Sequence, residues 1–167
     1  MFERSLVEDA LNYAVQVLSR LIAIPTVSPA GEHYGEAAEL LARELEGLGF
    51  NVEVLRVPAE YQSSKCPGAG GNPRFIVFAK LGDGGRRLHF NGHYDVVPGG
   101  SGWTVTDPFK PVIREGRLYG RGATDMKGGI AASLGAFKLL RSIGYEPKLT
   151  LEAGFVPDEE IGGKCGS

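Results

Sequence analysis

Only two cysteines, Cys66 and Cys165, occur in the chain. They lie far apart and lack the C-x-x-C spacing of a zinc knuckle or dithiol motif, so a reducing compartment fits best. Apolar runs are short: none approaches the roughly 18 residues that span a bilayer. The opening residues, Met1-Phe-Glu-Arg-Ser-Leu-Val-Glu-Asp9, carry acids where a signal peptide carries bases. The expected location is therefore the cytoplasm. No block of like charge is present, since the net charge of -2 comes from interspersed acids and bases. That pattern argues against a nucleic-acid partner and against a membrane anchor. Internal repeats are absent, and no Gly cluster contains the G-K-[ST] of a phosphate loop. Gly68-Ala-Gly70-Gly71 fails the G-x-G-x-x-G spacing and is followed by Pro73 and a strand rather than a helix.

Glycine is plentiful. Its 25 residues are about twice the usual share of roughly 7 per cent, and they gather in loops rather than in low-complexity sequence. A chain of 167 residues can bury one real core, so one domain or part of one is expected. Helical spacing of Leu6, Ala10, Tyr13, Val17, Leu18 and Leu21 predicts a helix over 5–24, with Ser5 as N-cap and Pro25 as stop. A second helix is expected over 34–48, ended by Gly49. Residues 51–57 suggest a strand, and the Gly-, Pro- and Ser-rich segment 58–73 reads as a loop. Strands 75–79 and 88–91 flank Gly82-Asp-Gly-Gly85, which suits a hairpin turn. A short hairpin over 112–119 turns at Glu115-Gly116, a helix runs from 126 or 127 to 143, and the last strand spans 148–156. This alternation predicts an α/β fold with a mixed sheet covered by helices. Open sheets of that class place ligands at the carboxyl ends of their strands.

Three stretches there carry chemistry. In Leu88-His-Phe-Asn-Gly-His93-Tyr-Asp95-Val-Val-Pro98, strand alternation puts His93 and Asp95 on one side. A carboxylate so placed can fix the tautomer of an imidazole whose other nitrogen holds a metal. In Gly120-Arg-Gly-Ala-Thr-Asp125-Met-Lys-Gly-Gly129, Asp125 precedes a helix, where its charge is favoured by the helix dipole. In Pro157-Asp-Glu159-Glu160-Ile-Gly-Gly163, two adjacent glutamates follow a strand and point different ways, which suits a division of labour. Each stretch alone has an ordinary reading: a surface ion pair, a helix cap, a solvated acidic loop. Trp103 and Phe109 could line a cleft or pack the Gly-rich loop. His33 and His89 are given no ligand role, His89 being expected as a partly buried strand residue. Cys165 reads as a structural or incidental thiol.

Taken together and in this order, the three motifs resemble the zinc aminoacylase and carboxypeptidase family that includes acetylornithine deacetylase and succinyl-diaminopimelate desuccinylase. The resemblance implies a di-zinc hydrolase in which His93, Asp125 and Glu160 bind metal, Asp125 bridging the two ions. It implies that Asp95 supports His93, that Glu159 is the general acid-base, and that a cis peptide follows Asp125. The implied cofactors are two Zn²⁺, with Co²⁺ or Mn²⁺ as alternatives. Implied substrates are small N-acyl amino acids or short peptides, with acetylornithine or succinyl-diaminopimelate chemistry favoured over carboxypeptidase or dipeptidase action. A non-catalytic metal-binding fragment is the reading from a different class. Residues 1–167 would form the N-terminal part of the catalytic domain. The family's pattern continues beyond them with a lid or dimerisation domain, a further acidic ligand and a C-terminal histidine. The complete enzyme would be a homodimer, and this segment alone would be inactive because each metal would have two protein ligands instead of three.

Overall fold

The computed structural model describes residues 3–66, 68 and 71–166. Part of the Gly68–Gly71 cluster, and Met1, Phe2, Pro67 and Ser167, lie outside the described residues. Helix α1 (Arg4–Ala23) turns Ala10, Val17, Leu21 and Ile22 inward, as the periodicity predicts. It starts one residue before the expected cap: Glu3 holds the N-cap position, and Ser5 lies within the first turn. Helix α2 (Tyr34–Gly47) buries Tyr34, Ala37, Leu40, Leu41 and Leu45, and Gly49 follows it with φ of 93°. Strands β1 (Asn51–Arg56), β2 (Phe75–Leu81) and β3 (Arg87–His93) come next, then a hairpin of β4 (Val112–Arg114) and β5 (Arg117–Tyr119). Glu115 and Gly116 both have positive φ, the geometry a two-residue hairpin turn requires. Helix α4 (Lys127–Ser142) leads to β6 (Thr150–Val156) and a 3₁₀ turn, Glu159–Ile161.

Two expectations are corrected. The segment 58–73 is not all loop: α3 (Ala59–Lys65) forms there, and the amide of its buried Gln62 donates to the Asn72 carbonyl at 2.7 Å. Strands β2 and β3 are not a hairpin either. The sheet order is β1-β2-β6-β3, with β6 antiparallel to β2 and parallel to β3. The physical reason lies in both partners. Every residue of β6 is buried, which suits a central strand. Gly84 lets the chain entering β6 pass, since a Cβ there would lie 2.6 Å from the Leu149 Cα. Thr150 then fastens the crossing, its N–H donating to Arg86 O at 2.8 Å and its hydroxyl to Gly84 O at 2.8 Å.

Helix α2 packs on β1 and β2, while α4 packs on β3 and on α1. The α1–α4 approach is close because Gly135 faces Ala14 and the Ala10 carbonyl. One apolar core joins α1, α2 and α4 to one face of the sheet, the face of Val77, Ala79, Phe90, Ala153 and Phe155. The predicted mixed α/β fold is therefore the fold observed. Its consequence for function is set by the parallel pair: His93 is in register with Val156, and the Tyr94 N–H donates to Val156 O at 3.0 Å. The motifs that leave β3 and β6 consequently emerge side by side. Among the described residues, no helix is long and apolar enough to cross a membrane.

Candidate metal centre

His93 ends β3 with only 4 % of its surface exposed. Its Nε2 faces outward, 3.0 Å from Asp125 Oδ1 and 3.7 Å from Glu159 Oε2. Its Nδ1 faces the protein, 3.1 Å from the Asp95 carbonyl and 3.4 Å from Asp95 Oδ1. Asp95 lies just beyond the strand, where the chain still follows its neighbours through Tyr94 N–H to Val156 O and the Val27–Val96 bridge. Asp95 is fully buried, and its two carboxylate oxygens accept the N–H groups of Glu159 and Glu160, each at 3.2 Å. One carboxylate thus joins the β3 motif to the β6 motif.

Asp125 comes from the Gly-rich turn before α4, and a cis peptide links it to Met126. Its side chain is 74 % exposed, with Oδ1 meeting His93 Nε2. Ligand atoms of His93, Asp125 and Glu160 all lie within 4.8 Å of one another. The structure therefore brings together all three residues read as metal-ligating, with Asp95 behind His93 and Glu159 beside them. Electrostatics there are those of gathered carboxylates. Burial acts to lower the His93 pKa, but the Asp95 hydrogen bond and charge, with Asp125, outweigh it and push the imidazole up to about 9. Burial, then the charge of Asp125, raises the Glu160 carboxyl, and His93 partly offsets them.

One imidazole nitrogen and two carboxylates converging on an open face fit a zinc-like divalent cation, which takes mixed nitrogen and oxygen donors. The Nδ1 contact to Asp95 is the support such an imidazole needs to present its other nitrogen. A second cluster, Cys66, Cys165 and Asp158, does not fit. Its two sulfurs are joined as a disulfide, correcting the expectation of separate thiols and removing the cysteines as an argument for a reducing compartment. Its carboxylate is taken by Arg74 and by the Tyr34 hydroxyl.

Several neighbours have structural tasks. The Trp103 indole donates to Gly99 O at 2.7 Å, and the Arg121 guanidinium lies 5.5 Å from its ring, so this aromatic packs its own loop. His33 pairs with Glu36 on the surface. His89, expected as partly buried, is exposed and faces Glu152 at 3.5 Å because β3 is a sheet edge. Sequence reasoning missed Lys127, fully buried, whose ammonium donates to Leu21 O and Ile24 O at 2.7 and 2.9 Å. Burial lowers its pKa to about 7, against the opposing pull of Asp95. These bonds tie the end of α1 to the Asp125 turn. Also missed was the buried set of Arg74, Asp158 and Tyr34; no local periodicity marks Arg74, which follows a Gly- and Pro-rich segment.

The sequence pattern described as Peptidase family M20/M25/M40 matches residues 89–167, the part of the chain that carries all three motifs. Residues 89–167 carry this family's pattern. A succinyl-diaminopimelate desuccinylase from Gluconacetobacter diazotrophicus is 39 % identical over 147 residues, covering 88 % of this chain and 35 % of that protein. Another from Rhodospirillum centenum is 45 % identical over 118 residues, covering 70 % of this chain and 27 % of its own length. The chain spans about a third of the length of the curated relatives it matches. Among solved structures, an M20 family metallo-carboxypeptidase from Sulfolobus solfataricus superposes with a TM-score of 0.73 at 28 % identity, over 90 % of this chain and 32 % of that one. A di-peptidase from Saccharomyces cerevisiae shares the fold with a TM-score of 0.80 at 23 % identity, over 95 % of this chain and 34 % of its own.

Proposed function

We propose that this chain is the N-terminal part of the catalytic domain of a metal-dependent hydrolase that cleaves the amide bond of a small N-acyl amino acid. The succinyl-diaminopimelate desuccinylase type is favoured, with acetylornithine deacetylase next. The observation that carries this reading is the convergence of His93, Asp125 and Glu160 at the carboxyl ends of β3 and β6. The desuccinylase relatives support the substrate class. The metallo-carboxypeptidase likeness keeps peptide hydrolysis as the second reading.

On this reading His93, Asp125 and Glu160 would hold the metal, Zn²⁺ by preference and two ions in the complete protein. When bound, zinc polarises a carbonyl and makes water a better nucleophile near neutral pH. The remaining work falls to the protein. Asp95 keeps the His93 ring oriented through Nδ1 and holds the Glu159 and Glu160 amides. Glu159, half exposed and beside His93 Nε2, takes a proton from the attacking water and delivers it to the leaving nitrogen. The reading also includes a small-molecule substrate, a cytoplasmic setting and a homodimeric complete protein.

The test uses the complete protein. Glu159→Gln should keep the fold and the zinc content while turnover on N-succinyl-diaminopimelate falls by roughly 10²–10⁴. Glu160→Gln should instead lower zinc content. Turnover unchanged in Glu159→Gln would overturn the acid-base assignment, and hydrolysis of C-terminal peptides in preference to both acyl substrates would favour the second reading.

A further inference from the structure

Asp158, directly before the two glutamates, is 1 % exposed and adopts left-handed backbone angles, φ 63° and ψ 20°. Non-glycine residues keep that conformation only where their surroundings enforce it. Arg74 supplies the enforcement. Its fully buried guanidinium donates from Nε to Asp158 Oδ2 at 2.8 Å and from Nη1 to Asn72 O at 2.7 Å. It also reaches Pro29 O and lies 5.2 Å from the Tyr34 ring. Tyr34 completes the arrangement by donating its hydroxyl to Asp158 Oδ1 at 2.9 Å. Gly31 leaves room for the guanidinium, since a Cβ there would fall 2.8 Å from Nη1.

We propose that Arg74 is a positioning residue for the metal centre: through Asp158 it holds the turn that presents Glu159 and Glu160 to His93 and Asp125. This rests on the reading of that cluster as a metal site. The turn is gripped at two points. Asp95 accepts the N–H groups of Glu159 and Glu160, and the Asp158 carbonyl accepts those of Ile161 and Gly163 at 3.3 and 2.8 Å. The second grip holds only while Asp158 keeps its left-handed angles with its carboxylate directed inward. Without the planar two-pronged donor of Arg74, a buried carboxylate loses its counter-charge and turns toward water. Released from that anchor, Asp158 relaxes from its left-handed φ and ψ to ordinary backbone angles, which redirects the chain and with it both glutamates. Lysine keeps the charge but cannot reproduce the fork.

The test is Co²⁺ binding to the complete protein, followed by visible absorption and calorimetry, with thermal unfolding of each metal-free protein measured alongside. Arg74→Gln should weaken Co²⁺ binding by about 10–100-fold, as loss of a supporting partner of metal ligands does, and should change the absorption band of bound Co²⁺. Arg74→Lys should recover part of the affinity. Tyr34→Phe, which removes one donor to Asp158, should shift affinity in the same direction by less. A folded Arg74→Gln protein with lowered thermal stability but unchanged Co²⁺ affinity and spectrum would overturn the inference. Should Arg74→Gln fail to fold, unchanged affinity and spectrum in Tyr34→Phe would overturn it. Absence of Co²⁺ binding by the unsubstituted protein would remove the metal reading itself, and this inference with it.

Discussion

Asp158 and Glu159 are chain neighbours with opposite fates. Asp158 is enclosed, ion-paired to Arg74 and hydrogen-bonded to Tyr34, so its oxygens are occupied within the fold. Glu159 has a side chain 56 % exposed and stands beside Asp125 and His93 with no Lys or Arg bridging it among the described residues. The same carboxylate chemistry serves architecture in one place and leaves lone pairs open to a ligand in the other. Burial with a fixed partner makes removal expensive. Exposure among like charges makes removal cheap for stability and costly for binding.

Breaking the enclosed side should have the largest effect on stability. Asp158→Ala leaves the Arg74 guanidinium buried without its carboxylate, and denaturant unfolding should show a loss of about 3–5 kcal/mol. Next comes the disulfide beside it, which joins residues 99 positions apart. Reduction, or the paired Cys66→Ser and Cys165→Ser substitutions, should cost about 2–4 kcal/mol, read from the same unfolding curves with thiol titration as control.

Alkaline pH probes the enclosed side without mutation. Burial first, with nearby Asp95 and Asp158, raises the Tyr34 phenol above its ordinary value of 10.0, and burial raises that of Tyr94. Because these folded values exceed the unfolded one, the stability they contribute is complete below about pH 10. Above it, each phenol should cost about 1.4 kcal/mol per pH unit, seen as phenolate absorbance appearing together with unfolding. The smallest effect belongs to the open side. Asp125→Asn should change metal-free stability by no more than about 0.5 kcal/mol, yet remove the rise in melting temperature that added Zn²⁺ gives the unsubstituted protein. A large loss of metal-free stability in Asp125→Asn would erase the contrast between the two sides.

Much of the open side was legible in the sequence because its chemistry is local. His93 and Asp95 stand two residues apart, Asp125 sits in its Gly-rich turn, and Glu159 and Glu160 follow a strand. Periodicity marked α1, α2 and α4 because each buries one apolar face. The enclosed side was not legible. Arg74 and Asp158 are 84 residues apart, and neither position has a local pattern that demands a partner. The β2–β3 hairpin was misread for a related reason. Gly82-Asp-Gly-Gly85 carries turn chemistry, but that chemistry does not say whether the flanking strands pair with each other or admit a third.

The sequence by itself determined the mixed α/β class, the helices with one buried stripe, and the residue types able to hold a divalent cation. Those properties depend on side-chain chemistry and on spacing along a few turns of chain. Only the tertiary structure decided that β6 enters between β2 and β3. That insertion places His93 beside the exit of β6 and lets Asp95 reach the Glu159 and Glu160 amides. It also decided which acid of Asp158-Glu159-Glu160 turns inward, because the choice is made by Arg74 and Tyr34 from distant elements and by the cost of burying a carboxylate without them.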